Sequence, residues 1–68
     1  MLNSDKLKAR IVEAGYTQKK FAEAIQISQN TLTSRLQGKS YFNTEEIDRI
    51  CSVLNIANSK DKVNIFLT

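Results

Sequence analysis

The stretch Thr17–Lys39, TQKKFAEAIQISQNTLTSRLQGK, decides the fold. It reads as two short helices joined by a tight turn. Thr17 is a good N-cap for the first, which runs to about Ile25 and turns Phe21, Ala22 and Ile25 inward. Ala22 sits where another helix crosses, and its small side chain lets two backbones approach closely. Ser28 caps the second helix, which runs to about Gln37. Leu32 and Leu36 lie one turn apart on its inner side, and Gly38 is placed to end it. Gln26 and Ile27 remain for the turn, with Ile27 plugging the space between the helices. The outer face of the second helix then carries Gln29, Asn30, Thr33 and Ser34, with Gln37 at its end.

Outward from this unit the pattern stays helical. Asn3 or Ser4 caps a helix that runs to about Ala14, with Leu7, Ile11 and Ala14 on one face and Gly15 as its stop. A loop from Lys39 to Asn43 follows Gly38. The next helix starts at Asn43 or Thr44, and Asn43 with Glu46 three residues on resembles a capping box. Ile47, Ile50, Cys51 and Leu54 form its core stripe, while Glu45 and Glu46 occupy the first turn, where the helix dipole favours acids. In the tail, residues 57–68, Asn58 or Ser59 caps a short fifth helix with Val63, Phe66 and Leu67 on one side. A strand over VNIFLT is the competing reading, since the segment is rich in β-branched and aromatic residues. The helix is favoured, because two glycines and no prolines leave little punctuation for hairpins. The expectation is one all-α domain of four to five helices spanning residues 1–68.

A chain of 68 residues buries only about 60% of its unfolded surface, so the core is marginal. No apolar run approaches the roughly 18 residues that suggest a membrane span, and MLNSDKLKAR lacks the apolar region of a signal peptide. A cytoplasmic protein that engages no membrane is expected. Histidine is absent, which removes the commonest general base and metal ligand. The single Cys51 forms no intrachain disulfide and is no metal site; its place on the core stripe assigns it to packing. Glu45 and Glu46 point in different directions on a helix and make no catalytic dyad. With no glycine-rich phosphate loop or metal cluster either, neither an enzyme nor a cofactor is expected. The net charge of +3 is unevenly spread: residues 1–42 carry seven Lys or Arg against three Asp or Glu, and residues 43–68 carry three against four. The basic part contains Thr17–Lys39 and attracts phosphate non-specifically.

Two helices meeting steeply over a short turn form a helix-turn-helix unit. The major groove of DNA admits one α-helix. Gln and Asn hydrogen-bond adenine at two edge atoms together, and Ser and Thr suit several bases. Gln29, Asn30, Thr33 and Ser34 are therefore the candidate base contacts. Gln18, at the start of its helix, lies where a helix N-terminus favours a phosphate. Thr17, Lys19, Gln37, Lys39, Ser40, Tyr41 and Asn43 complete the candidate DNA-backbone contacts, which fix register while the second helix reads sequence. Tyr41 and Phe42 have packing under the loop as their alternative.

From about Leu7 to Ile56 the chain resembles the lambda-repressor-like, Cro/CI-type helix-turn-helix proteins, often phage or bacterial repressors. YTQKKFAEAI, ISQNTL and LQGKS carry the resemblance. It implies a compact five-helix domain that usually binds DNA as a homodimer. It also implies that Gln18 contacts phosphate and braces Gln29, the first residue of the recognition helix. By the same match Asn30, Thr33 and Ser34 face bases, and Lys39 and its neighbours contact the backbone. Three residues depart from the family's pattern. Gln26 stands where Gly is usual, at a cost of about 1–2 kcal/mol if its φ is positive. Arg35 stands where an apolar residue is common, and Leu36 where Glu is common, so the apolar side of this helix is expected to be rotated by one residue.

The leading functional expectation is a sequence-specific regulator, a minimal phage Cro-like repressor on a roughly palindromic operator. Ile65, Phe66 and Leu67 are expected to make the homodimer, setting two recognition helices about 34 Å apart. The competing class is a protein-binding module, an antirepressor or antitoxin that grips another phage or bacterial regulator through the apolar tail.

Overall fold

The computed structural model describes residues 2–66. Its helices are α1 (Ser4–Glu13), α2 (Gln18–Ala24), α3 (Gln29–Leu36), α4 (Thr44–Val53) and α5 (Ser59–Phe66), and no described residue is in a strand. Each begins at a polar cap. Asn3 Oδ1, Thr17 Oγ1, Ser28 Oγ and Asn43 Oδ1 accept the backbone N–H three residues on, at 3.1, 3.2, 3.1 and 2.8 Å. Asn58 Oδ1 accepts the Lys60 N–H at 2.8 Å in front of α5. Such caps satisfy N–H groups that the helix itself leaves without acceptors. Glu46 returns a bond to the Asn43 N–H, completing the capping box.

The first four helices end alike. Gly15, Gln26, Gly38 and Asn55 adopt φ of 83°, 65°, 79° and 57°. Each time the following residue's N–H reaches back to a carbonyl five residues earlier: Tyr16 to Ile11, Ile27 to Ala22, Lys39 to Ser34, Ile56 to Cys51. This is the Schellman closure, which satisfies the last carbonyls and reverses the chain. Glycine supplies it at two ends without steric cost. Gln26 and Asn55 supply it at the other two against the Cβ penalty, which asparagine tolerates better than glutamine.

Leucine and isoleucine from α1, α3, α4 and α5 meet in one core with Phe21 and Ala22 of α2, Ile25 at its end and Phe66, and Phe21, Leu7, Ile25, Leu32 and Ile50 are its largest fully enclosed side chains. Ala22 is buried where α2 packs on α3, and Ile27 lies partly buried against the core beneath the turn. Tyr16 meets Phe21 edge-on, and Phe42 meets Phe66 edge-on with centroids 6.3 Å apart. Phe42 thus packs under the loop, whereas Tyr41 is 82% exposed.

Several sequence expectations need correction. Ala14 caps the end of α1 and is exposed, because the helix closes one residue before it can turn inward. The tail is helical, but Val63 faces outward while Ile65 is buried beside Phe66. Ile65 and Phe66 are 2% and 8% exposed and seal the core, and the Ile65 carbonyl accepts the Asn3 N–H at 2.6 Å. Seated so, these two residues of the expected tail interface are spent on the core of the single copy. Leu67, the third residue of that expectation, lies outside the described residues. Among the described residues no helix is long and apolar enough to cross a membrane.

Candidate nucleic-acid interface

The candidate surface is built by α2, its turn and α3. Thr17 and Ser28 each start a helix with a hydroxyl, and Gln26 reverses the chain between them. The Ser28 hydroxyl also donates to Thr31 Oγ1 at 2.8 Å, tightening the first turn of α3. Leu32 and Leu36 anchor α3 in the core. With that side fixed, helical geometry leaves Gln29, Asn30 and Gln37 exposed and Thr33 and Ser34 half-buried on the remaining surface. Arg35 takes the flank between core and solvent. The leucines at 32 and 36 face inward and Arg35 does not, so the apolar side is rotated as the departures at 35 and 36 imply.

The expected backbone contacts are distributed around this face. Gln18 and Lys19 are exposed at the start of α2; Lys39 and Tyr41 are exposed beyond the end of α3. Thr17 and Asn43 already have work, since each uses a side-chain oxygen to cap a helix. Gln18 and Gln29 are both exposed and each is the first residue of its helix. Ser40 is half-buried and shares a 3.1 Å hydrogen bond with Ser34. That contact brings together one candidate base contact and one candidate backbone contact.

Behind this contact lies a polar cluster. Arg35 Nε and Nη2 donate to the two Glu46 carboxylate oxygens at 2.8 and 3.2 Å, a bidentate pair. Its third edge, Nη1, donates to Ser40 Oγ at 2.8 Å. Glu46 is only 5% exposed. The Arg35 guanidinium holds the Glu46 carboxyl below its ordinary value of 4.5 against the opposing effect of burial, and the Asn43 N–H assists. Arg35 is thus committed within the protein, and the exposed cations beside α2 and α3 are Lys19, Lys20 and Lys39. A further arginine, Arg49 on α4, reaches the Ile25 carbonyl at 3.5 Å and ties α4 to the end of α2. Glu45 points away and is exposed, so the two adjacent acids share no site. Cys51 is half-buried on α4, and desolvation raises its thiol pKa, which leaves it a packing residue.

The sequence alone did not reveal the pairing of Arg35 with Glu46. Two signals were present: a cation on the flank of an otherwise leucine-anchored helix, and a capping-box glutamate whose second oxygen needed a donor.

Residues 6–57 match the family model of the Cro/C1-type HTH DNA-binding domain. The chain belongs to that family. No curated protein and no solved structure matches it. The Cro/C1-type match runs from within α1 through α4 and stops before α5, although Ile65 and Phe66 of α5 complete the core. Five helices around α2 and α3 are the lambda-repressor-like fold, and membership makes the chain a DNA-binding regulator of a family that is typically non-enzymatic.

Proposed function

We propose that this Cro/C1-type domain is a sequence-specific transcriptional repressor of phage Cro-like kind, acting in the cytoplasm with residues 1–68 as one unit. In this reading α3 enters the major groove of a double-stranded operator. The observation that carries it is the exposed pair Gln29–Asn30 at the leading end of a helix whose leucines are locked in the core. Both amides are free to meet adenine edges, and Thr33 and Ser34 extend the same surface. Gln18, Lys19, Lys39 and Tyr41 flank α3 and meet the sugar-phosphate backbone, with Thr17, Gln37, Ser40 and Asn43 beside them. Two copies bind half-sites one helical turn, about 34 Å, apart, so the operator is roughly palindromic. Occupancy of the operator excludes polymerase or a rival regulator.

Selection of bound sites from random duplex DNA tests this reading. A two-fold symmetric motif is expected, with binding that weakens steeply as salt rises. No enrichment even at low salt overturns it. Transcription from a template carrying the selected site over its promoter should fall on adding protein; a rise would mean activation.

A further inference from the structure

The cluster behind α3 has a direction. A guanidinium only donates, so Ser40 Oγ must accept from Arg35 Nη1. Glu46 holds two other edges of the same guanidinium, so the aim of Nη1 is fixed. An oxygen that accepts from a cation is polarised: its own O–H becomes the better donor, and its remaining lone pair the poorer acceptor. The geometry of the 3.1 Å contact between Ser40 and Ser34 lets either hydroxyl donate, and this polarisation favours Ser40 as donor and Ser34 as acceptor. In that polarity the Ser34 hydroxyl hydrogen is uncommitted among the described residues. Ser34 lies one turn from Asn30 and three residues from Gln37, both exposed, on the side of α3 away from the leucines.

We propose that Arg35 and Ser40 are positioning residues for base recognition, orienting Ser34 so that it presents a hydrogen-bond donor to the major groove. This rests on the docking of α3 proposed above. The class of ligand edge follows directly. A donor at this place meets guanine N7 or O6, adenine N7 or thymine O4. Cytosine, whose only major-groove polar group is an amino donor, is disfavoured, because it can use only the remaining Ser34 lone pair and leaves the Ser34 hydrogen without an acceptor. The opposite polarity, Ser34 donating to Ser40, would leave lone pairs facing the groove and favour cytosine or the adenine amino group. Glu46 supports the relay from behind without facing DNA.

The test uses the full chain and random duplex DNA, then the selected duplex with each base pair varied in turn. Thermal unfolding confirms that every variant is folded at the assay temperature. The wild type should exclude cytosine at one position of each half-site by roughly 3- to 10-fold, as suits a single hydrogen bond. Ser34→Ala should erase that preference, and Ser40→Ala should erase it too, beyond the uniform loss that follows from removing Ser40 beside the DNA backbone, with the relative base preferences at the positions read by Gln29 and Asn30 kept. Ser40→Thr, which keeps the hydroxyl, should restore it. The inference is overturned if Ser40→Ala leaves the preference intact, with or without a uniform loss of affinity, or if the wild type favours cytosine at the Ser34-dependent position. Failure of the wild type to select any DNA instead removes the repressor reading on which the relay depends.

Discussion

Replacing Glu46 by alanine should expose how much the fold owes to its one buried acid among the described residues. The substitution removes two charge-assisted hydrogen bonds from Arg35, at 2.8 and 3.2 Å, and one from the Asn43 N–H at 3.1 Å. Stranding the partner of a fully buried pair costs about 3–5 kcal/mol, whereas an exposed pair is worth at most about 1 kcal/mol. The Arg35 side chain is 19% exposed and regains some water when its partner goes. The expected loss is therefore about 2–3 kcal/mol. In a domain of this length each kcal/mol lowers Tm by about 4–8 °C, so a fall of about 10–20 °C is expected in thermal unfolding. Arg35→Leu combined with Glu46→Leu should recover much of that loss, because the uncompensated charge is gone and the site fills with apolar volume. A coupling energy from the full set of single and double variants separates the pair from packing. The carboxyl's pKa is lowered on folding from 4.5, so its stabilisation is complete above that value and fades as pH falls through the lower, folded value. Glu46→Gln should lack this part of the acid sensitivity. A Tm loss under about 4 °C for Glu46→Ala would show that the pair behaves as an ordinary surface contact and that the cluster does not hold α3 to α4.

The other substitutions probe local strain, the tail and recognition. Gln26→Gly should raise stability by about 0.5–1 kcal/mol in urea unfolding, since relief of a positive φ of 65° exceeds the extra chain entropy; Gln26→Val should lower it. Destabilisation by glycine would mean that the turn is unstrained. Phe66→Ala should cost about 3 kcal/mol through the cavity left beside Phe42, and removal of residues 63–68 should unfold the domain rather than merely separate two copies. A truncated chain with unchanged circular dichroism and Tm would return the tail to the surface. Gln29→Ala should lose about 1–3 kcal/mol at the selected operator with non-specific affinity nearly intact, whereas Lys39→Ala should weaken all sequences and reduce the salt slope by about 1 per copy. Equal loss on all sequences for Gln29→Ala would place that residue on the backbone.

Local chemistry made most of the fold readable. Asn3, Thr17, Ser28 and Asn43 announce helix starts because a cap is decided within four residues, and all four act as caps. The stripe through Ile50 and Leu54 was equally plain, whereas Gln26, whose φ is 65°, was marked only by the family resemblance as standing where Gly is usual. What escaped was set by tertiary placement. In an eight-residue α5 both Val63 and Ile65 fit an apolar face, and only docking on α1 decides that Ile65 goes in. Ile65 and Phe66 therefore read as interface residues, and within a single copy they complete the core. Arg35 and Glu46 are eleven residues apart on different helices, and no periodic pattern couples them. The outward amides of α3 were legible because Leu32 and Leu36 fix the opposite side; the tie between Ser34 and Ser40 was not, because it depends on how the loop folds back.

The departures from the family's pattern on α3 form one physical unit rather than separate irregularities. With leucine at 36, the inward stripe of α3 is complete without position 35, and an apolar residue there would sit at the margin between core and water. Arginine suits that margin because its stem covers apolar surface while its planar head spends its donors sideways. The head is matched by Glu46, which the capping box already requires, so one carboxylate serves the start of α4 and the flank of α3 together. The third edge of the guanidinium then falls on Ser40, in the loop that leads to α4. The arrangement exchanges a hydrophobic contact, which is indifferent to direction, for hydrogen bonds that are not. An apolar pair at 35 and 46 can therefore preserve stability, yet it cannot preserve the orientation of Ser40 or of the Ser34 hydroxyl beyond it. The Arg35→Leu, Glu46→Leu variant separates the two roles: if it melts near the wild type but no longer discriminates at the Ser34 position, the cluster serves recognition beyond its contribution to folding.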